Sequence, residues 1–187
     1  MGHHTFPASD ADRLEDATMR YRHCSAEELH WALDPSSDDS VVDLGSGTGF
    51  YTDHVAPHVG EVYAVDLQEA MHDRYREKGV PENVELVTSG ADELPFDDDA
   101  MDVAFATMTY HELPGGAVTE LARVLRPGGR VTVVDWTADG PGANGPPVDE
   151  RYDEAHASAA LRDAGFTVAF GATRSDTFLV IATLDGE

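Results

Sequence analysis

The fold of this chain is decided by one stretch, Val41-Val42-Asp43-Leu44-Gly45-Ser46-Gly47-Thr48-Gly49-Phe50-Tyr51. It opens with short, mostly apolar residues behind the turn-forming run 35–39, which is typical of a buried strand entered from a loop. Three glycines in five positions follow, and residues 50–59 are then expected to form a helix. A strand, a glycine turn and a helix form the nucleotide-binding opening of a doubly wound α/β domain.

A second acidic residue stands at the distance that nucleotide binding requires. Residues 61–65 are predicted to form the next strand, and Asp66, 19 residues after Gly47, ends it. A carboxylate at the tip of the second strand can accept hydrogen bonds from both hydroxyls of a ribose. The pattern therefore predicts a ligand that contains adenosine, either a dinucleotide or a smaller cofactor.

Three details favour the smaller cofactor over a dinucleotide. The glycines read G-x-G-x-G, whereas the dinucleotide pattern would place its third glycine where Phe50 stands. Asp43 precedes the turn, and a carboxylate suits an ammonium group better than a pyrophosphate. The turn also has no nearby Arg or Lys that would balance phosphate charge.

Five blocks of the sequence resemble, in order, those of class I S-adenosylmethionine (SAM)-dependent methyltransferases. The glycine turn 43–49 resembles motif I of that family, and the later blocks are 66–67, 91–96, 100–103 and 121–130. The resemblance is to small methyltransferases related to those of ubiquinone and menaquinone biosynthesis. It implies SAM as the cofactor and a Rossmann-like α/β fold, which is a doubly wound, seven-stranded, mostly parallel sheet with an antiparallel last strand.

The resemblance, together with the strand-turn-helix pattern, assigns the cofactor-binding residues. They are Asp43, Gly45, Ser46, Gly47, Phe50, Asp66, Leu67, Ala91, Asp92 and Thr107. Asp43 is expected to face the ammonium group of SAM or to bond the backbone of the turn, and Asp66 to bind the ribose. The family usually has an aspartate where Gly90 stands, so Asp92 is the nearest candidate acceptor for the adenine amino group.

The catalytic candidates follow the fourth predicted strand, at the edge where α/β folds bind ligands. His111 is placed there beside the transferred methyl group, where it would orient the acceptor or act as a general base. Its alternative role is to order the loop through a hydrogen bond to the backbone. Tyr110 is a similar candidate. No metal site is expected, because the nine histidines form no ligand pattern.

The chain is predicted to form a single methyltransferase domain over residues 1–187. Residues 1–35 hold an N-terminal arm and a helix that starts with the capping box Ser25–Glu28, and residues 36–187 hold the cofactor-binding core. In related small methyltransferases such an arm lies over the cofactor pocket. Further helices are expected at 68–78, 116–125 and 151–164, and further strands at 84–88, 101–106, 130–136, 166–170 and 177–183.

Charge and composition limit the partners. The formal net charge is −24, with 36 acidic and 12 basic residues spread along the whole chain, so no basic surface is available for nucleic acid. No run approaches the roughly 18 apolar residues of a membrane span. We therefore expect a small-molecule substrate, no nucleic acid, no membrane span, a monomer or homodimer, and a cytoplasmic location. The acidity also suggests a halophilic archaeon as the source.

Two other functions stay open at this point. A nicotinamide-dependent oxidoreductase would need a third glycine at position 50 and a catalytic pair such as tyrosine and lysine, and the single lysine, Lys78, lies on an early helix. A non-catalytic SAM-binding partner or sensor is compatible with the sequence, because the binding residues are clearer than the catalytic ones. Turnover on a panel of metabolites would separate an enzyme from a sensor.

The net charge predicts that the fold requires salt. At about 0.01 M salt the Debye length is roughly 30 Å, so acids across the whole surface repel one another, whereas at about 1 M it is roughly 3 Å. Because native stability is only about 5–15 kcal/mol, that repulsion decides whether the domain stays folded. Thermal unfolding followed by circular dichroism should give a melting temperature that rises with potassium chloride from about 0.01 to 3 M. A flat or falling temperature would contradict the prediction.

Overall fold

The fold is one seven-stranded sheet in the order β3-β2-β1-β4-β5-β7-β6. The computed structural model describes residues 5–186, so residues 1–4 of the predicted arm and Glu187 lie outside the described residues. The strands are β1 (Ser40–Leu44), β2 (Glu61–Asp66), β3 (Val84–Thr88), β4 (Met101–Thr107), β5 (Leu125–Trp136), β6 (Phe166–Thr173) and β7 (Thr177–Leu184). The first five are parallel, and β7 runs antiparallel to both β5 and β6. The predicted fold class is confirmed.

Helices connect the strands and cover both faces of the sheet. They are α1 (Ala17–His23), α2 (Ala26–Leu33), α3 (Thr52–Val55), α4 (Glu69–Lys78), α5 (Ala117–Val124) and α6 (Glu154–Asp163). The predicted N-cap of α2 is confirmed, because the Ser25 hydroxyl accepts a hydrogen bond from the Glu28 N–H at 3.1 Å. The side chain of Glu28 turns instead to Arg174, with which it forms an ion pair at 2.6 Å.

Two helices are shorter than the sequence predicted. The helix after the glycine turn was expected over residues 50–59, but α3 ends at Val55 and a 3₁₀ turn, Ala56–His58, follows. Pro57 explains the early end, since it has no N–H to continue the α-helical bonding. The last helix, expected from residue 151, begins after Asp153, whose side chain caps it by accepting from the His156 N–H at 2.7 Å.

Strand β5 is longer than predicted. It begins at Leu125 rather than Arg130, because Leu125 already pairs with Met101 of β4. The register then shifts between Met101 and Val103, which accommodates the segment 127–129 as an irregularity within the strand. The segment 127–129, which lies before the predicted strand, is therefore a break in the pairing of β4 and β5 within β5 itself.

The hydrophobic core has two layers, one on each face of the sheet. One layer joins β1 and β4 to α5 and α6, with Leu121 and Leu161 as buried helix contacts. The other layer joins the same sheet to α2 and α3, with Leu29 and Val55 buried. Because both faces are covered, the central strands are apolar on both sides, as the Val41–Val42 pair already suggested.

Candidate functional site

A cavity of about 800 Å³ opens at the carboxyl ends of the parallel strands. Most of the predicted site residues line it, namely Gly45, Ser46, Gly47, Phe50, Asp66, Leu67, Ala91, Asp92, Thr107 and His111. Asp43 and Tyr110 are not among the lining residues. The cavity therefore contains ten of the twelve predicted residues, and it extends from the ends of β1, β2 and β3 to those of β4 and β5.

The glycine turn takes a backbone course that only glycine supports well. Gly45, Gly47 and Gly49 have φ angles of 70°, 57° and 79°, in the left-handed region. A side chain on Gly49 would also collide with the ring of Tyr75, which packs directly against it. The N–H groups of Gly45 and Ser46 both donate to the Val65 carbonyl, at 2.8 and 3.0 Å, so they tie the turn to β2. Ser46 Oγ remains buried without a hydrogen-bond partner within the described residues.

Asp66 lies at the end of β2, as predicted, and joins the glycine turn to α4. Its Oδ2 accepts from the Gly47 N–H at 2.9 Å, and its Oδ1 accepts from the Gln68 N–H at 2.8 Å. Burial raises the pKa of this carboxyl, and the two backbone hydrogen bonds work against that rise. A carboxylate has about four acceptor sites, so Asp66 keeps capacity for ribose hydroxyls while it holds the turn.

Asp43 lies beneath the turn rather than on the cavity wall. Its Oδ2 accepts from the Thr52 hydroxyl at 2.6 Å, whereas its Oδ1 is buried with no hydrogen-bond partner in residues 5–186. Burial raises the pKa of Asp43 to about 7. The predicted bond from Asp43 to the backbone of the turn is absent from the described hydrogen bonds, because the carboxylate turns to Thr52 on α3 instead.

Arg20 is a cavity residue that the sequence analysis missed. It belongs to α1 in the arm and is only 8% exposed, with its guanidinium 4.5 Å from the ring centroid of Tyr51. Its Nε is buried without a hydrogen-bond partner among the described residues, and burial lowers the pKa of its guanidinium. The positive charge of Arg20 and the free oxygen of Asp43 suit the carboxylate and the ammonium of an amino acid, respectively.

The carboxylate of Asp92 takes the space beside Gly90. A Cβ atom placed on Gly90 would lie 2.9 Å from Oδ1 of Asp92, and one placed on Gly116 would lie 3.2 Å from its Cβ. The Oδ1 atom of Asp92 therefore lies beside the point at which the side chain of an aspartate at position 90 would begin. Ala91 lies beside it on the cavity wall, and Leu67, which is 65% exposed, stands at the rim.

His111 is fixed at the end of β4 by a buried acid. Its Nδ1 lies 2.9 Å from Oδ2 of Asp135 at the end of β5, and its backbone N–H donates to the same oxygen at 2.6 Å. Its Nε2 lies 3.6 Å from Oε1 of Glu112. Burial alone would lower the pKa of His111, but the bonds and charges of Asp135 and Glu112 outweigh it and raise the pKa to about 9. The imidazole is therefore protonated at neutral pH.

Tyr110 turns away from the cavity. Its side chain is buried in the core layer of α5 and α6, with its ring 6.2 Å from that of Phe178 and 5.7 Å from that of Tyr152. In the short 3₁₀ turn Tyr110–Glu112, successive side chains point in different directions, so Tyr110 and His111 cannot share one site. The structure thus places Tyr110 outside the cavity that His111 lines.

Residues 143–147 form the wall of the cavity opposite the arm, and Arg151 holds them. The guanidinium of Arg151, which is buried, donates to the carbonyls of Asn144 and Pro146 and lies 5.5 Å from the ring centroid of Trp136. Trp136 lines the cavity at the end of β5. This Gly- and Pro-rich loop is therefore ordered around one arginine.

The N-terminal arm covers the cavity from the other side. Glu15 bonds the hydroxyl of Thr48 in the glycine turn and forms an ion pair with Lys78 at 3.2 Å. The backbone of Phe6 accepts from Gln68 Nε2 at 2.9 Å and donates to Glu112 at 3.3 Å. The arm is therefore tied to both halves of the cavity, in agreement with the position that the resemblance implied.

The fold and the cavity define a Rossmann-like domain for a small adenosine-containing cofactor, and comparison with known proteins gives its family. The family described as "Methyltransferase domain" matches residues 42–133. A crystal structure of a SAM dependent methyltransferase from Aquifex aeolicus is 31% identical with a TM-score of 0.87, and the match covers 96% of this chain and 100% of that one. This chain belongs to the SAM-dependent methyltransferases.

Two other relatives match this chain over only part of their own length. An uncharacterized methyltransferase of Mycobacterium tuberculosis is 39% identical over 114 residues, which are 60% of this chain and 46% of that protein. A ubiquinone/menaquinone biosynthesis C-methyltransferase of Idiomarina loihiensis is 35% identical over 106 residues, 52% of this chain and 42% of that protein. The chain thus spans less than half the length of these two relatives.

The residues that line the cavity fit SAM, the cofactor of this family. Six buried side-chain atoms lack a partner within the described residues, and three of them lie on or near the glycine turn, where an amino-acid group would lie, namely Asp43 Oδ1, Arg20 Nε and Ser46 Oγ. Asp66 and Asp92 line the same cavity, as the expected ribose and adenine contacts require. Within residues 5–186 no group of three or more metal-ligating side chains occurs, and none of the helices has the length and apolar character needed to cross a bilayer.

We predict that Asp92 replaces the carboxylate that position 90 lacks. Asp92→Ala should weaken SAM binding by about 1.5–3 kcal/mol, the range for hydrogen bonds that involve a charged group. The double variant Gly90→Asp/Asp92→Gly should recover most of that loss, because removing Asp92 clears the space that a side chain at position 90 needs. Isothermal titration calorimetry with SAM measures both changes.

The single variant Gly90→Asp provides the matched control for this swap. It should bind SAM more weakly than the double variant. The Cβ atom of the new side chain would lie only 2.9 Å from Oδ1 of Asp92, so the two carboxylates compete for the same space. Equal affinities of the wild type and Asp92→Ala would rule out a role for Asp92 in adenine binding.

Proposed function

We propose that this protein transfers the methyl group of SAM to a small-molecule acceptor bound at the ends of β4 and β5. The observation that carries the proposal is that one continuous cavity joins the cofactor residues Gly45 and Asp66 to His111 and Trp136. A reaction with two substrates needs a cavity whose two ends differ in chemistry, one for the cofactor and one for the acceptor. A sensor that binds only the cofactor would need only the half at β1, β2 and β3.

The enclosure of the acceptor end supports a small acceptor. The arm covers the cavity on one side and the segment 143–147 on the other, and both are fixed by hydrogen bonds. Apolar groups such as those of Met19, Met108 and Trp136 line this part, and they favour an acceptor with an apolar or aromatic body. The net charge of −24 also opposes nucleic acid as the acceptor.

The chemistry that SAM supplies when bound is an electrophilic methyl group on a sulfonium. The protein must mainly align the acceptor atom and exclude water, because the methyl group needs no further activation. In the proposal, Arg20 and Asp66 hold the two ends of the cofactor, Asp43 supports the glycine turn from beneath, and the arm and the segment 143–147 exclude water. His111 then holds the acceptor atom.

The protonation state of His111 sets how it acts. With its Nδ1 fixed on Asp135 and a pKa of about 9, the imidazolium donates a hydrogen bond from Nε2 at neutral pH. It therefore suits an acceptor that is already anionic, such as a phenolate, an enolate or a thiolate. It becomes a general base only after it loses its own proton, near pH 9.

Turnover on a defined panel tests the function. Purified protein in high salt should release S-adenosylhomocysteine and methylated product from at least one phenol, hydroquinone, thiol or amine. It should also bind SAM at micromolar concentration, as is common for such cofactors, and bind NAD far more weakly. Asp66→Ala should lose SAM binding and turnover together. SAM binding without turnover on any acceptor would favour the sensor, and tighter NAD binding would refute the proposal.

We predict that His111→Gln slows methyl transfer far more than it weakens SAM binding. General acid–base or orienting groups typically contribute about 10²–10⁴-fold to the rate, whereas His111 is not placed at the cofactor half. Single-turnover rates and calorimetry on the same preparations measure the two effects. Full turnover of the variant on the true acceptor would make His111 a structural residue.

Asp135→Asn distinguishes a proton-transferring His111 from an orienting one. Asp135 raises the pKa of His111, so its neutral replacement should let burial lower that pKa. If His111 is a base, the rate of the wild type rises with pH toward about 9 and the profile of Asp135→Asn rises at lower pH. If the charged imidazole orients an anionic acceptor, the rate instead falls as pH rises through the pKa of His111.

A further inference from the structure

The outer edge of the sheet carries a pair of exposed aromatic side chains. Trp31 on α2 is 55% exposed and Phe170 on β6 is 40% exposed. Their ring centroids are 5.4 Å apart and the rings meet edge to face, at 88°. We call these two residues the edge patch. Large apolar groups in contact with each other at a protein surface commonly mark an interaction site.

A β-bulge in β6 places Phe170 in this patch. Val168 pairs with Ala182, but the register then shifts, so that Phe170 pairs with Ile181. Ile181 belongs to the core layer of α2, whereas Ala182 belongs to that of α6. The extra residue, Ala169, thus turns the ring of Phe170 toward α2. Without the bulge, strand alternation would direct the ring to the face that α6 covers.

The strand that carries Phe170 has no charge. Residues 164–173 contain no Asp, Glu, Lys or Arg, and they are the longest such run in the chain. Edge strands usually carry charges that discourage contact with other chains. The opposite edge, β3, follows that rule with the exposed Glu85. In a chain of net charge −24, the edge at β6 is therefore adapted to contact another surface.

We propose that a second copy of this chain docks on the edge patch, so that two copies form a twofold symmetric dimer across β6. Two molecules of charge −24 repel wherever their acidic faces meet, and an edge strand with no charged residue of its own lets them approach with less repulsion. Twofold symmetry brings Trp31 and Phe170 of one copy against the same residues of the other. A basic partner would instead be attracted to the acidic faces.

The mass of the protein in solution tests the dimer. Light scattering after size exclusion, over a series of protein concentrations in about 2 M potassium chloride, should approach twice the chain mass of 20.1 kDa. Phe170→Glu places two like charges at the centre of the proposed contact. It should raise the dissociation constant of the dimer by at least about tenfold, equal to about 1.4 kcal/mol.

Val148→Glu is the matched control, because Val148 is also 40% exposed but lies in the 3₁₀ turn Val148–Glu150, far from β6 in the sequence. It should leave the dimer unchanged. Trp31→Ser should weaken the dimer as Phe170→Glu does, and circular dichroism establishes that each variant is folded. A wild-type mass of 20.1 kDa at every concentration would overturn the proposal and leave the patch to a different protein. A dimer that both patch variants retain would overturn it equally.

Discussion

The cofactor half of this protein depends on the carboxylate of Asp66. One of its oxygens bonds the N–H of Gly47 and the other bonds the N–H of Gln68. A single side chain thus fixes both the glycine turn after β1 and the entry to α4 after β2. Keeping a carboxylate charged in a buried position is costly, and two backbone donors offset part of that cost. The shape of the turn and its affinity for a ribose are therefore properties of the same group.

The sequence predicted the elements whose signals are local. Apolar strands, the Ser25 cap and the glycine turn are each decided by a few neighbouring residues, and all of them were confirmed. The errors came where a distant partner decides the outcome. Leu125 extends β5 because Met101 lies beside it, which no local pattern reveals. The early end of α3 was an exception, since Pro57 was a local signal that the expected helix disregarded.

The same distinction, between local signals and distant partners, separates the site residues that the sequence predicted from those that it missed. Residues on the glycine turn and at strand ends reach the cavity because the topology brings those ends together, so position in the sequence was enough. Arg20 and Asp135 depend on contacts across the fold, with Tyr51 and His111 respectively, and nothing near them in the sequence distinguishes them from other charged residues. Tyr110 lies outside the cavity because side-chain direction within a single 3₁₀ turn is set by packing.

Because Arg20 belongs to the N-terminal arm, the position of the arm affects the affinity of the protein for its cofactor. The arm is held by Glu15, which contacts Thr48 and Lys78, by the Phe6 backbone, and at α1 by Tyr51, which donates to the Arg20 carbonyl and packs against its guanidinium. If the arm opens, the guanidinium leaves with it, so only the closed fraction of molecules offers the complete set of cofactor contacts. The apparent dissociation constant is then the intrinsic one divided by that fraction. A change that weakens the ion pair of Glu15 and Lys78 would thereby act on cofactor affinity from outside the pocket.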